Sequence, residues 1–537
     1  MALHSQFLRN LSVFGILGTI GLAAYALPIG QSSITADVVV YGATPAGIMA
    51  AIEAGRQGKS VILLEPTQHV GGMMSNGLGY TDLYADKEIG GLPKAFFSQV
   101  SSVYGKDPLS NKGRSFEPHV AEATFLNMIN QESHITLKLG VSIETVERSG
   151  ANIQSIDAKE TVEASDGVNY RAKVFIDASY TGDLMAYAGV PFTIGRESSA
   201  QYGEDVAGVG QPARMGNQSI SPYVVPGDPK SGLIDHVTSA SPGLPGSADS
   251  TLMGYNYRVC LTTDANNQIP IVVPKNYAPE EYELLGRIGL AENPALTEKY
   301  YLDVSSLPNQ KFDWNNTRNF FSSDEVGYNY NYPTAGPAGR QKIEEEEKRY
   351  MQGYFYFLTT DPRIPASVQN WVRGFGLCKD EFIDNGGWPH QIYVRKARRM
   401  LGAYVLTEND LKLQSNIPDS IGVGGYTSDD HLHHILAVNN EVEFEASRGF
   451  RPNPYPIPYR ILTPQAVSIT NLLVPVDVSA SHIAFDSLRI ETTLMIMGQA
   501  AGAAAALTVD GDGRVQHVNT LALQSLLASE GAVITPQ

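Results

Sequence analysis

The sequence has little cysteine, no basic stretch and, near its start, an apolar run too short to be read as a membrane span. Only Cys260 and Cys378 occur in 537 residues. Two thiols are no disulfide scaffold; they can pair in an oxidising compartment or sit as two buried free thiols. With 39 basic against 56 acidic side chains the formal charge is −17, which repels an extended phosphate backbone and argues against a nucleic-acid partner. The apolar run Leu11 to Ala24 falls short of the roughly 20 residues that cross a bilayer. It follows Arg9 and leads into Ala24-Tyr25-Ala26, the pattern of a signal peptide over residues 1–26, with an uncleaved anchor as the rival reading. No G-x-S-x-G elbow and no Cys–His signature is present, which argues against an esterase or a thiol protease.

What is present is 43% hydrophobic residues with 51 glycines and 31 prolines, the balance of a compact, turn-rich enzyme of two or three domains. A cleaved signal predicts a secreted or extracytoplasmic protein, the endomembrane lumen included, with no stable membrane span. The sequons beginning at Asn217 and Asn315 are consistent with a glycoprotein.

Asp37 to Tyr41 is an uninterrupted apolar strand, Pro45 to Gly58 a helix, and Ser60 to Leu64 a second buried strand capped by Glu65. This β-α-β unit predicts an α/β fold with a Rossmann-like domain. Its turn holds Gly42, Ala43, Pro45, Ala46 and Gly47, with Thr44 where G-x-G-x-x-G has its middle glycine. The first glycine allows the tight turn and Gly47 the close approach of helix and strand. The helix N-terminus offers N–H groups to a pyrophosphate, and Glu65 offers a carboxylate to ribose hydroxyls. Three further segments favour FAD over NAD: Gly71-Gly72-Met73; Gly182-Asp183 after the strand ending at Ala178; and the small-residue helix around Gly498 and Gly502.

From Ile135 to Glu160 the pattern alternates, predicting an antiparallel meander inserted in the sheet. Between about Gly195 and Tyr459 polar and proline-rich loops, tyrosine clusters and a helix around Gln341 to Leu358 predict a mixed α+β substrate or cap domain. The glutamates of that helix read as a solvated face. The expected division is 36–195 and 460–537 for the FAD-binding parts and 196–459 for the cap.

The segments VVVYGATPAGIMAAIEAGRQGKSVILLEP, GLGYTD, FEPHVAEATF, AKVFIDASYTGDLMAYAGVPFTIGRES, DNGGWPHQIYVRKARRMLG and NLLVPVDVSASHIAFDSLRIETTLMIMGQAAGAAAA together resemble the FAD-dependent oxidoreductase family of the glutathione-reductase-like flavoproteins. The ending is distantly similar to that of the fumarate reductase group. That similarity implies Asp477 at the ribityl chain and Ser487, Arg489 and Thr493 near the flavin ring.

Oxidation of a C–H bond by flavin needs an acceptor for the departing proton, and histidine suits neutral pH. His482, just before the last helix, is the first candidate and His390 the second, with Arg395 as a binder of a carboxylate or enolate. The cluster His431, His433 and His434 names no fourth ligand, so no metal is expected. His69, before the Gly-Gly pair, is a conceivable flavin attachment point. The function expected is oxidation of a small organic molecule by hydride transfer to flavin, with O2 or another acceptor. A lumenal flavin reductase or monooxygenase is the first alternative. A carbohydrate-binding or carbohydrate-cleaving protein is the second, because aromatic faces stack on sugars.

Overall fold

The computed structural model describes residues 32–536, apart from 84–85, 108–109, 111–113, 161–166, 216–217, 292–296, 317–320, 414–416 and 447–448. The signal segment, Asn217 and Thr317 therefore lie outside the described residues.

The central sheet grows from buried apolar strands. β1 (Ser32–Tyr41) lies between β2 (Val61–Glu65) and β6 (Val168–Asp177), all parallel, and β3 (Ile135–Leu139) adds to the far side of β2. β4 (Val141–Ser149) and β5 (Asn152–Glu160) run antiparallel and attach to the first half of β6. The second half of β6 pairs instead with β7 (Leu472–Leu473), a parallel strand from near the other end of the chain. The expected meander is thus corrected at its start. The alternation of Ile135 to Leu139 belongs to a half-exposed parallel edge strand, and only β4 and β5 form the antiparallel insertion.

Helix α1 (Pro45–Arg56) covers β1, and α2 (Pro118–Asn130) packs beside it. On the same face lies α4 (Glu491–Asp510), reached in the chain through α3 (Pro337–Thr360). By length and composition α4 could cross a membrane, yet it is buried within the protein. Two glycines explain how: a Cβ at Gly498 would stand 2.1 Å from the Ala46 carbonyl oxygen and one at Gly502 2.3 Å from that of Ala50. The backbones of α1 and α4 touch, and any larger residue would separate them.

The middle of the chain contributes an antiparallel five-stranded sheet around Val259–Thr262 and a hairpin, Leu432–Val438 with Glu441–Ala446. A disulfide joins Cys260 to Cys378 across that sheet, resolving the choice between a bridge and two thiols. Helix α3 spans slightly more than expected, and its glutamates are not all solvated. Glu347 is buried, and Glu344 accepts a hydrogen bond from Tyr332. The tyrosines of this region are mostly core: Tyr282, Tyr350 and Tyr354 pack on one another and Tyr332 is buried, while Tyr328 is exposed. The sugar-stacking reading loses most of its platform, because of the cluster that prompted it Tyr332 is buried and Tyr330 partly so, leaving Tyr328 exposed.

Candidate functional site

A cavity of about 520 Å³ opens at the C-terminal ends of β1 and β2, where ligands of open α/β sheets bind. Its first end is made of backbone. Gly42 has φ +96°, and a Cβ there would sit 2.8 Å from the Ala178 carbonyl; at Gly47 it would sit 1.9 Å from the Gly42 oxygen. Both positions therefore require glycine. Thr44, the departure from the glycine pattern, is the N-cap of α1: its hydroxyl accepts from the Gly47 N–H at 3.2 Å and donates to the Ala178 carbonyl at 2.8 Å. Pro45 and Ala46 open the helix behind it.

Glu65 lines the same end. One carboxylate oxygen accepts from the Ala43 N–H at 2.7 Å and the other from the N–H and hydroxyl of Thr67. Burial raises its carboxyl, and the three hydrogen bonds oppose that rise. Gly71 is tied to the turn by its N–H to the Ala43 carbonyl, and Gly72 lies against the Tyr180 hydroxyl. Met73 donates its N–H to that hydroxyl at 3.0 Å, and Tyr180 donates to Glu491 at 2.6 Å. Burial pushes the Glu491 carboxyl up to about 8, the hydrogen bond from Tyr180 and the charge of Arg489 offsetting only part of it.

The second end is made of charged side chains. Gly182, at φ +60°, leaves room for Asp477, whose Oδ2 would lie 2.9 Å from a Cβ there. Asp183 is held by both guanidinium nitrogens of Arg340 at 2.6 and 2.8 Å and by Arg398 at 2.8 Å. Burial raises the Asp183 carboxyl, but the two cations outweigh it and leave it below its ordinary value. Asp477 is fully enclosed; burial, then the charge of Asp177, pushes its carboxyl well up, and its Oδ2 has no partner. A buried acceptor without a donor is expensive unless a ligand supplies one.

His390 lines the cavity and Arg395 a smaller void next to it. The Arg395 guanidinium bonds Gly254, Asn256 and Asp324 and lies over the Tyr393 ring. Arg489 reaches Asp429 at 2.9 Å and lines that same void with Asp477 and Glu491. Ser487 is bonded to Tyr455 and to the Tyr426 carbonyl, and Thr493 lines a separate small void with Tyr426 and Glu88. His482 is fully buried outside the cavity lining, its Nε2 accepting from the Gly208 N–H at 2.9 Å. Burial, then the charge of Lys396, keeps its imidazole well below the ordinary range. The three clustered histidines each have a carboxylate partner of their own: Asp324 for His431, Asp430 for His433 and Glu445 for His434.

Nothing in the sequence singles out Arg340, Arg398, Tyr180 or Glu491. Their convergence depends on segments 157, 215 and 311 positions apart being folded together.

The residues present fit a flavin dinucleotide. A helix N-terminus, the half-buried Arg340 and the buried Arg398 suit the pyrophosphate, Glu65 faces the same cleft, and the unpartnered Asp477 oxygen in the void beside it calls for a hydroxyl donor. Fold and site together define an FAD-binding, Rossmann-type flavoprotein. Residues 37–527 match the family described as FAD dependent oxidoreductase, and the chain belongs to that family. It is an oxidoreductase with FAD as its cofactor.

No curated protein matches the chain. Among solved structures, Mycobacterium smegmatis Sdh1 in complex with UQ1 is 16% identical with a TM-score of 0.23, over 32% of this chain and 42% of that one. The OxyS anhydrotetracycline hydroxylase from Streptomyces rimosus is 12% identical with a TM-score of 0.22, over 31% and 36%. T. acidophilum thioredoxin reductase is 20% identical with a TM-score of 0.18, over 27% and 34%. The chain spans less than half the length of each of these.

Proposed function

We propose that this protein is an extracytoplasmic FAD oxidase or dehydrogenase that oxidises a small organic molecule, with O2 or another acceptor taking the electrons onward. The observation that carries the reading is the one cleft in which the glycine turn, Glu65 and the charged pair Asp183–Arg340 share a wall with His390. FAD, when bound, supplies the hydride-accepting centre. His390 is the proposed proton acceptor: burial lowers its imidazole below the ordinary value, against the pull of Asp384, so the ring is neutral at neutral pH. His482 is the second candidate, one that needs the surrounding loops to open. Arg395, with its Nε unpartnered, is the proposed anion-orienting group. Gly42, Ala43, Pro45, Ala46, Gly47, Glu65, Gly71, Gly72, Met73, Ala178, Gly182, Asp183, Asp477, Ser487, Arg489 and Thr493 are proposed to hold the cofactor. The disulfide Cys260–Cys378 favours an oxidising compartment.

Anaerobic bleaching of the bound flavin by sugars, alcohols, amino acids and polyketide-like phenols tests this. Bleaching by one class, followed by recovery in air, supports an oxidase. Reduction by NADPH far faster than by any of them would instead favour a reductase or monooxygenase.

A further inference from the structure

Beside the cavity, the loop after β2 meets the turn Ile383–Asn385, and His69, Asp384 and His390 place ligand atoms within 4.8 Å of one another. We propose that these three side chains bind one divalent transition-metal cation of the zinc type at the rim of the cofactor cavity.

Both imidazoles address one carboxylate. His69 Nε2 lies 3.1 Å from one Asp384 oxygen and His390 Nε2 lies 2.9 Å from the other, with the rings stacked at 3.6 Å and 19°. The remaining nitrogen of His69, Nδ1, is 3.0 Å from Glu122 on α2. A histidine that donates through Nδ1 to a carboxylate turns a lone pair outward at Nε2, the orientation that outer carboxylates impose on metal-ligating histidines. That lone pair faces Asp384, so the contact requires either a second proton on the ring or a cation between nitrogen and oxygen.

The turn that carries Asp384 is fixed before any ion arrives. Phe382 takes a left-handed φ of 48° and packs on the Cys260–Cys378 disulfide. A bulky residue holds that backbone only where its surroundings enforce it. Asn385 donates to the Trp388 carbonyl at 2.9 Å, and the His390 N–H donates to Asn76 at 3.0 Å. Asp384 is 63% exposed, His69 21% and His390 16%, so an ion can enter from solvent. Two imidazoles and one carboxylate with open positions suit Zn²⁺ and its first-row neighbours rather than Mg²⁺ or Ca²⁺, which prefer oxygen. Drawing both lone pairs onto one ion splays the stacked rings.

A second cluster, Glu117, His119 and Glu381, offers a contrast. Its centre already holds a cation, the Lys311 ammonium at 2.7 Å from Glu117 and 2.6 Å from Glu381. It carries no such inference.

The test is calorimetric titration of the purified, chelator-treated, FAD-containing chain with ZnCl2 and, separately, MgCl2. One Zn²⁺ per chain is expected, with no saturable Mg²⁺ uptake. Asp384→Asn and His69→Ala should weaken Zn²⁺ by about 100-fold or more, Glu122→Gln by about tenfold, and His119→Ala not at all. Retained flavin absorbance reports that each variant is folded, and Glu122→Gln, at an outer position, carries the test if a ligand variant fails to fold. A Zn²⁺ held at His390 Nε2 puts the ring's proton on Nδ1 and leaves no free lone pair, so the metal-loaded chain does not use His390 as its proton acceptor; binding is read without turnover and stands apart from that role. Absence of stoichiometric Zn²⁺, or unchanged binding in the variants, would overturn the site and leave an imidazolium–carboxylate pair.

Discussion

The two ends of the cofactor cavity are built by different means. At the Gly42 end the wall is backbone: glycines where a Cβ has no room, a helix N-terminus, and Glu65 fastened to its neighbours. At the Asp183 end the wall is charge, with Asp183, Arg340 and Arg398 brought from distant parts of the chain, and Asp477 and Glu491 line a small void beside it. A backbone wall tolerates no added atom. A wall of charges tolerates changes of shape but responds to the loss of any partner.

That contrast sets the order of expected effects. The largest is Gly47→Val, which drives a side chain into the Gly42 oxygen. We expect a loss of about 3 kcal/mol or more in stability and a colourless protein, measured by denaturant unfolding and flavin absorbance. Beside the cavity, behind Tyr180, burial pushes the Glu491 carboxyl up to about 8 in the folded chain against 4.5 as its ordinary value. Between those values the unfolded chain is ionised while the folded carboxyl keeps its proton. The flavin-free protein therefore loses stability as pH rises through this window, by on the order of a few kcal/mol. Glu491→Gln should flatten that slope in unfolding curves recorded at pH 4.5 and pH 8; an unaltered slope would remove Glu491 from this role.

Arg340→Ala comes next. It leaves Asp183 with Arg398 alone and removes a cation from the cavity wall, so FAD affinity should fall about tenfold, measured by flavin fluorescence titration. Thr44→Ala is the smallest, costing about 1 kcal/mol through the lost cap on α1 while flavin remains bound.

The same contrast explains what was legible in the sequence. Steric constraints on a backbone leave a local signature, so Gly42, Gly47 and Glu65 could be found from one β-α-β pattern. Thr44 looked like a flaw in that pattern: its cap on the Gly47 N–H is local, but its tie to Ala178 depends on the residue that follows β6, far along the chain. Gly498 and Gly502 were visible as small residues, but that they press on Ala46 and Ala50 of α1 was not. At the charged end only the acid was visible, as the Gly182-Asp183 pair; its partners left no local signature, since Arg340 opens a helix that reads as ordinary and Arg398 lies in a loop. In α3, a run of glutamates looked solvated because burial of Glu347 depends on what packs over it. The tyrosines misled in the opposite sense, since a core of stacked rings and a sugar platform have the same composition.

The most direct test of a cofactor domain assembled from both ends of the chain is visible absorbance of the purified protein, with the flavin released by denaturation, identified and counted. The expected result is one FAD per chain in the wild type and none in Gly47→Val. A colourless wild-type protein that takes up no added FAD would contradict the account.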